Sequence, residues 1–258
     1  MKRIFKISLF FSFFSLLAFS AMSADKADAL KLWQKANKAY TQGDYKAAID
    51  FYTKAHATGY DGVKLYYNMA NAYYKDGNIG KAIVNYNRAL RLAPGDEDIA
   101  YNLEIANAQT LNRIESLPEF ILYTQFKKFR AEMSSNSWAF ISLVGFALTL
   151  FFILVYLLSN TVTKRKISFS LACVMFAMFV FTISFASYQK HQITASSQAV
   201  VLSSAEAVKS SPDATGKDIF IINEGATVRV IDRLGEWSEV VVASGNSGWI
   251  LTKAIEII

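Results

Sequence analysis

The side chains of this 258-residue chain best suited to recognition chemistry form a ladder. Trp33, Tyr67 and Tyr101 make one column at a spacing of 34, and Gln34, Asn68 and Asn102 make the next. Asn37 recurs as Asn71 and Tyr40 as Tyr74, with Lys64 and Lys75 adding positive charge nearby. A carboxamide donates and accepts hydrogen bonds together, which suits the backbone of an extended peptide. Tyrosine and tryptophan supply contact area at low entropic cost. The expected chemistry is non-covalent capture of a peptide by Trp33, Asn37, Tyr40, Lys64, Tyr67, Asn68, Asn71, Tyr74, Tyr101 and Asn102. The competing reading makes the asparagines tolerated polar residues and the tyrosines packing between helices. Residues for bond-making chemistry are scarce. His56 and His191 are the only histidines, and Cys173, inside an apolar run, is the only cysteine. No Ser/His/Asp set, Walker loop or dinucleotide fingerprint is present. Neither catalysis nor a metal or cofactor is expected, and the single thiol cannot form a disulfide within the chain.

The elements that hold the ladder are legible from self-comparison. Ala36, Tyr40, Gly43, Ala48, Ile49, Tyr52 and Ala55 recur 34 residues later as Ala70, Tyr74, Gly77, Ala82, Ile83, Tyr86 and Ala89. The period and residue types are those of the tetratricopeptide repeat, a helix–turn–helix unit. Small residues let paired helices approach, and glycine ends the first helix. Two repeats are expected, at about 29–62 and 63–96. Pro94 closes the second. Asp96-Glu97-Asp98 offers an N-cap and first-turn acids for a cap helix over 97–115. The ladder then lies on the first helices of the units, on the concave face of an all-α solenoid.

The composition, 53% hydrophobic, exceeds what these repeats need. The excess sits in three runs. Ile4–Ala21 follows Lys2, Arg3 and Lys6 and precedes the small residues Ala21-Met22-Ser23-Ala24, which reads as an export signal over 1–24. Cleavage after Ser23 and retention as an anchor both remain open. Trp138–Leu158 and Ile167–Phe185 carry no charge and are each long enough to cross a bilayer as a helix. They are expected to form a transmembrane hairpin over 138–158 and 167–185. Lys164-Arg165-Lys166 in the intervening loop, 159–166, marks it as cytoplasmic. The formal net charge of +6 is confined to these basic flanks, because 25–137 is nearly balanced and 189–258 is slightly acidic. No folded part carries a nucleic-acid footprint. Between repeats and hairpin, 116–137 mixes Phe120, Ile121, Phe126, Phe129 and Met133 with Lys127, Lys128 and Arg130, an amphipathic connector expected in the outer interface.

Beyond a linker at 186–198 the hydrophobic period shortens from 3.6 to 2. β-branched runs at 199–202, 205–209, 218–223, 226–232 and 236–243, separated by turn signals, argue a small all-β barrel over 199–258. Glu224-Gly225-Ala226-Thr227-Val228, Gly235-Glu236-Trp237-Ser238 and Gly248-Trp249-Ile250 together resemble bacterial SH3-like (SH3b) domains. Trp237 and Trp249 are expected in or beside the core rather than on a ligand platform. The whole order, with Leu92-Ala93-Pro94-Gly95-Asp96 closing the repeats and Ser135-Asn136-Ser137-Trp138 opening the hairpin, resembles the BatE family, the tetratricopeptide component of the Bat aerotolerance system. That resemblance implies partnership with Bat proteins carrying von Willebrand A domains and an indirect link to a MoxR-type ATPase. The function expected is that of an inner-membrane scaffold with both soluble domains in the periplasm. The alternative is an envelope sensor that binds cell wall or peptide through the SH3b domain.

Overall fold

The computed structural model describes residues 28–110, 121–194 and 197–258. The expected export signal and its cleavage site lie outside them. A first helix, α1, occupies 28–41. It is followed by α2 (Tyr45–Ala57), α3 (Val63–Lys75), α4 (Ile79–Leu92) and α5 (Glu97–Ala108). The expected cap helix thus ends at Ala108, and 111–120 lie outside the described residues.

The 34-residue period reappears as geometry. Gly43 and Gly77 take left-handed φ of 78° and 86°, a conformation only glycine adopts without strain, and each turns the chain out of its helix. The next residue caps the following helix. Asp44 accepts from Ala47 N at 3.0 Å, and Asn78 accepts from Lys81 N at 3.1 Å. Asp96 does the same for α5 through Ile99 N. Ala36, Ala48, Ala55, Ala70, Ala82 and Ala89 are all fully buried, so the helix pairs meet at alanine and pack closely.

Three further helices follow: α6 (Ile121–Ala131), α7 (Ser135–Leu158) and α8 (Val162–Thr194). α7 and α8 are both long and apolar enough to cross a membrane. Ser142, Gly145 and Thr149 are buried on one side of α7, and a Cβ at Gly145 would stand 3.6 Å from Phe179, so the two helices meet along a seam of small residues. Lys164, Arg165 and Lys166 belong to the first turns of α8 rather than to an eight-residue loop, with Arg165 N bonded to Thr161 O. Nothing between Val162 and Lys166 interrupts a helix. α8 also runs on to Thr194, through most of the stretch read from sequence as a linker.

The C-terminal part is an antiparallel sheet of seven strands: β1 (Gln198–Val201), β2 (Ala205–Lys209), β3 (Asp218–Asn223), β4 (Thr227–Leu234), β5 (Trp237–Val242), β6 (Ser247–Leu251) and β7 (Ile255–Ile257). Their order is β3-β2-β6-β5-β4-β1-β7. Ile222 on one edge strand and Ile255 on the other share a core with Val201, Val208, Val228, Val240 and Ile250. A flat sheet cannot bring its two edges to one core, so this sheet curls, helped by irregular pairing at Val208/Lys209 and Val230/Asp232. Trp237 and Trp249 are half-buried. The short strands β6 and β7 lack a run of alternating residues long enough to announce themselves.

Candidate functional site

The ladder resolves into a pocket and its flanks. Asn37, Tyr40 and Thr41 from α1 and its end, Tyr52 from α2, and Asn68 and Asn71 from α3 line a pocket of about 160 Å³. Its floor is hydrogen-bonded. The buried Tyr52 donates its hydroxyl to Asn37 Oδ1 at 2.6 Å, and Asn68 Nδ2 donates to the same oxygen at 3.1 Å. One repeat on, Tyr86 donates to Asn71 Oδ1 at 2.5 Å. Each unit therefore spends one carboxamide oxygen on the tyrosine of its second helix. Asn37 Oδ1, which accepts twice, has no lone pair left for a ligand, and Asn71 Oδ1 keeps one, so what the pair offers the pocket is chiefly N–H groups.

Burial dominates the titration of these phenols. Tyr52 is pushed up to about 12, mainly by desolvation, and Tyr86 is pushed up further for the same reason. Tyr40 is raised too, again chiefly by burial and then by Tyr45 and Tyr67. All three stay neutral donors near neutral pH, and the pocket carries no formal charge of its own.

The remaining candidates stand apart. Asn102 Nδ2 donates to Tyr67 Oη at 3.0 Å, and Gln109 Nε2 donates to Tyr74 Oη, so the ladder continues onto α5 as amide–phenol pairs. Tyr101 is 65% exposed and Lys64 is exposed. Trp33 departs from its column: it packs on the core between α1, α2 and α3, and its Nε1 is buried without a hydrogen-bond partner among the described residues. Thr41 and Tyr52 were not among the expected residues. Tyr52 had a signal, since it recurs as Tyr86, but its place on the second helix made it look purely structural.

A second cluster lies where α2 meets α3. His56 Nδ1 and Asp61 Oδ1 are 2.6 Å apart, and Tyr66 donates to the same Asp61 oxygen at 2.9 Å. His56 sits in the last turn of α2 and Asp61 just before α3, so the cluster ties the two helices together and has a sufficient structural role.

A feature the sequence reading did not anticipate is the docking of the β-sheet on α4. Glu224 accepts from Gly80 N at 2.9 Å, and Glu256 pairs with Lys81 and, at 3.0 Å, with Arg88. Arg88 also donates to Ile257 O at 2.7 Å, and Arg91 donates to Ile258 O. Val200, Leu202 and Ile258 join the same apolar cluster as Ala82, Ile83, Val84 and Tyr86. As a result α4 is buried on nearly every side, whereas α2, its counterpart one repeat earlier, buries only Ala48, Tyr52 and Ala55. Desolvation and the neighbouring Arg88 lower the Arg91 guanidinium from its ordinary value. None of the pocket-lining residues takes part, so the docked sheet leaves the pocket accessible.

Residues 63–96 match the tetratricopeptide repeat. The chain is 33% identical over 98 residues to serine/threonine-protein phosphatase T of Aspergillus oryzae, covering 38% of this chain and 20% of that protein. It is 43% identical over 65 residues to tetratricopeptide repeat protein 12 of Mus musculus, covering 25% of this chain and 9% of that protein. The chain thus spans a fifth or less of the relatives it matches. Stacked repeats of this kind make protein-interaction surfaces.

Proposed function

We propose that the chain is a membrane-anchored scaffold whose repeat pocket holds an extended segment of a partner protein. The observation that carries this reading is the pocket bounded by Asn37, Tyr40, Asn68 and Asn71, which presents amide and hydroxyl groups, no formal charge and aromatic walls. Such a lining suits peptide backbone more than a charged small molecule. The absence of lysine or arginine among these residues argues against a terminal carboxylate as the main anchor.

Anchoring rests on α7 and α8. Their most apolar windows are only 17% and 22% buried, which supports a lipid-facing role over that of a core helix. Phe140, Leu143, Leu157 and Phe169 are more than half exposed, and water is a poor solvent for such a surface. Two spans, α7 and α8, separate the repeats from the sheet among the described residues, which supports one compartment for both. With the export signal and the basic turn, that compartment is the periplasm and the membrane is the bacterial inner membrane. The domain order supports a role in a Bat-type aerotolerance or envelope-stress complex, with von Willebrand A domain proteins as direct partners and a MoxR-type ATPase linked through them. The docked sheet, resembling an SH3b domain, acts here as a structural buttress. That favours the scaffold over the sensor.

In vivo crosslinking and pull-down of the intact protein tests the proposal. Asn68→Ala removes a pocket amide that donates to Asn37 Oδ1. It is expected to lose partner recovery while keeping the protein folded and in the membrane fraction. Undiminished recovery would sink the pocket assignment.

A further inference from the structure

The short helix α6 has more bare apolar surface than a connector between two folded parts requires. Ile121 is 74% exposed, Phe126 44% and Phe129 48%. At about 100° per residue these three fall within one arc of about 140°, and Lys128 and Arg130 fall outside it, one beyond each margin. The arc is not isolated. Phe126 stacks edge-on against Phe185 of α8 at 5.4 Å, Phe129 lies 5.9 Å from Trp138 of α7, and Phe181, 4.4 Å from Phe185, is itself 48% exposed. The bare side of α6 therefore continues the apolar outer surface of the hairpin.

The level at which α6 docks is also defined. The apolar runs of the two helices end at Trp138 and Phe185, whose rings are 5.1 Å apart in an edge-on contact. Just beyond them the partners turn polar. Trp138 Nε1 donates to Arg130 O at 3.0 Å, Gln189 Nε2 donates to Arg130 O and Met133 O at 2.7 and 2.9 Å, and the Arg130 guanidinium lies 3.8 Å over the Tyr188 ring. Aromatic rings, a bound arginine and capped carbonyls at the end of an apolar span are the arrangement of a headgroup boundary.

We infer that α6 lies in the plane of the bilayer surface on the side of the repeats, with Phe126 and Phe129 in the acyl boundary and Lys128 among the headgroups. The occupant of its apolar face is lipid. The consequence is positional: a helix held flat at this depth, and tied to the hairpin through Trp138 and Gln189, fixes the height of the repeat pocket above the membrane. A Cβ at Gly95, in the turn closing the second repeat, would stand 2.8 Å from Ala131 O, so the repeats rest directly on the end of this helix.

The inference rests on the membrane reading of α7 and α8, and the experiment separates the two. Full-length protein in a Cys173→Ala background carries single spin labels at Phe126→Cys, Phe129→Cys, Lys128→Cys or Phe151→Cys. It is reconstituted in nanodiscs of phosphatidylcholine and phosphatidylglycerol, and collision with oxygen is compared with collision with a water-soluble nickel chelate. Labels at 126 and 129 are expected to favour oxygen several-fold over the label at 128. Equal chelate access at 126, 128 and 129, or oxygen preference at all three, overturns the interfacial helix while the 151 label reports lipid. A 151 label in water overturns the membrane reading and this inference with it.

Discussion

Asn37 and Tyr52 show how one side chain serves fold and site together. The Tyr52 hydroxyl is buried and has Asn37 Oδ1 as its acceptor, so Asn37→Ala leaves a donor stranded. That is expected to cost about 1–3 kcal/mol in denaturant unfolding, more than Asn68→Ala, whose amide is one of two donors to that oxygen. The same burial makes stability depend on pH. Tyr52 and Tyr66 ionise at about 12 when folded, both chiefly through burial, with Tyr66 raised further by Asp61. The ordinary phenol value is 10.0, so between the two values the unfolded chain holds fewer protons than the folded one. The contribution is complete below pH 10 and is lost as pH rises toward 12. Urea titrations followed by circular dichroism should show stability falling across that window, and Tyr52→Phe should make the fall shallower.

Among the elements, α4 carries the most consequence. Its two faces serve different neighbours: Ala82 and Ala89 meet the repeat helices, and Gly80, Lys81, Arg88 and Arg91 meet the sheet. Gly80 lets the sheet come close: a Cβ there would lie 2.9 Å from Glu224 Oε1 and 3.1 Å from Leu202 Cδ2, so both side chains would have to shift. Gly225 is constrained twice, by a φ of +84° and by Thr110 Cγ2, which a Cβ would approach to 2.3 Å. Gly225→Ala is expected to loosen the docking, read as faster hydrogen exchange in α4 and β7 together with the core of the sheet unchanged. Glu256→Gln removes the charge shared by Lys81 and Arg88 at a site mostly shielded from solvent. It is expected to weaken the same interface by about 2 kcal/mol, and the loss should shrink in high salt. Protection of α4 that is indifferent to both changes would mean that the sheet does not brace it.

Taken as one body, the molecule is a repeat array braced from two directions. The sheet presses on α4, and the hairpin with α6 meets the turn at Gly95. Two repeats are few for independent stability, because each unit buries its apolar face only against a neighbour. The docked sheet supplies the missing neighbour through Val200, Leu202 and Ile258. The arrangement has a topological signature. With Cys173→Ser, cysteines replacing the exposed Lys46 and Ser244 should react with a membrane-impermeant maleimide from the same side, and one replacing Thr163 only from the other. Opposite-side labelling of 46 and 244 would refute the hairpin.

The features legible in the residues alone were those governed by local periodicity. A period of 34 announces helix pairs because each unit must repeat the same small residues at the same crossings. Uncharged runs announce long apolar helices because length and charge alone limit what crosses a bilayer. Alternation announces strands. The pocket was half legible: the columns of Asn and Tyr lie on α1 and α3, two of the three helices that line it, but only packing showed that Asn37 and Asn71 turn an oxygen toward Tyr52 and Tyr86, and that Trp33 faces the core. The docking of the sheet left one trace in the chain. Lys46 and Asp50 of the first repeat become Gly80 and Val84 in the second, small and apolar where a solvated helix keeps charge. Read alone, that difference has no direction, because a sequence states that a face is apolar without stating what covers it. Contacts between Gly80 and Glu224, 144 residues apart, are set by which surfaces remain to be buried once each part has folded, and that is decided only in three dimensions.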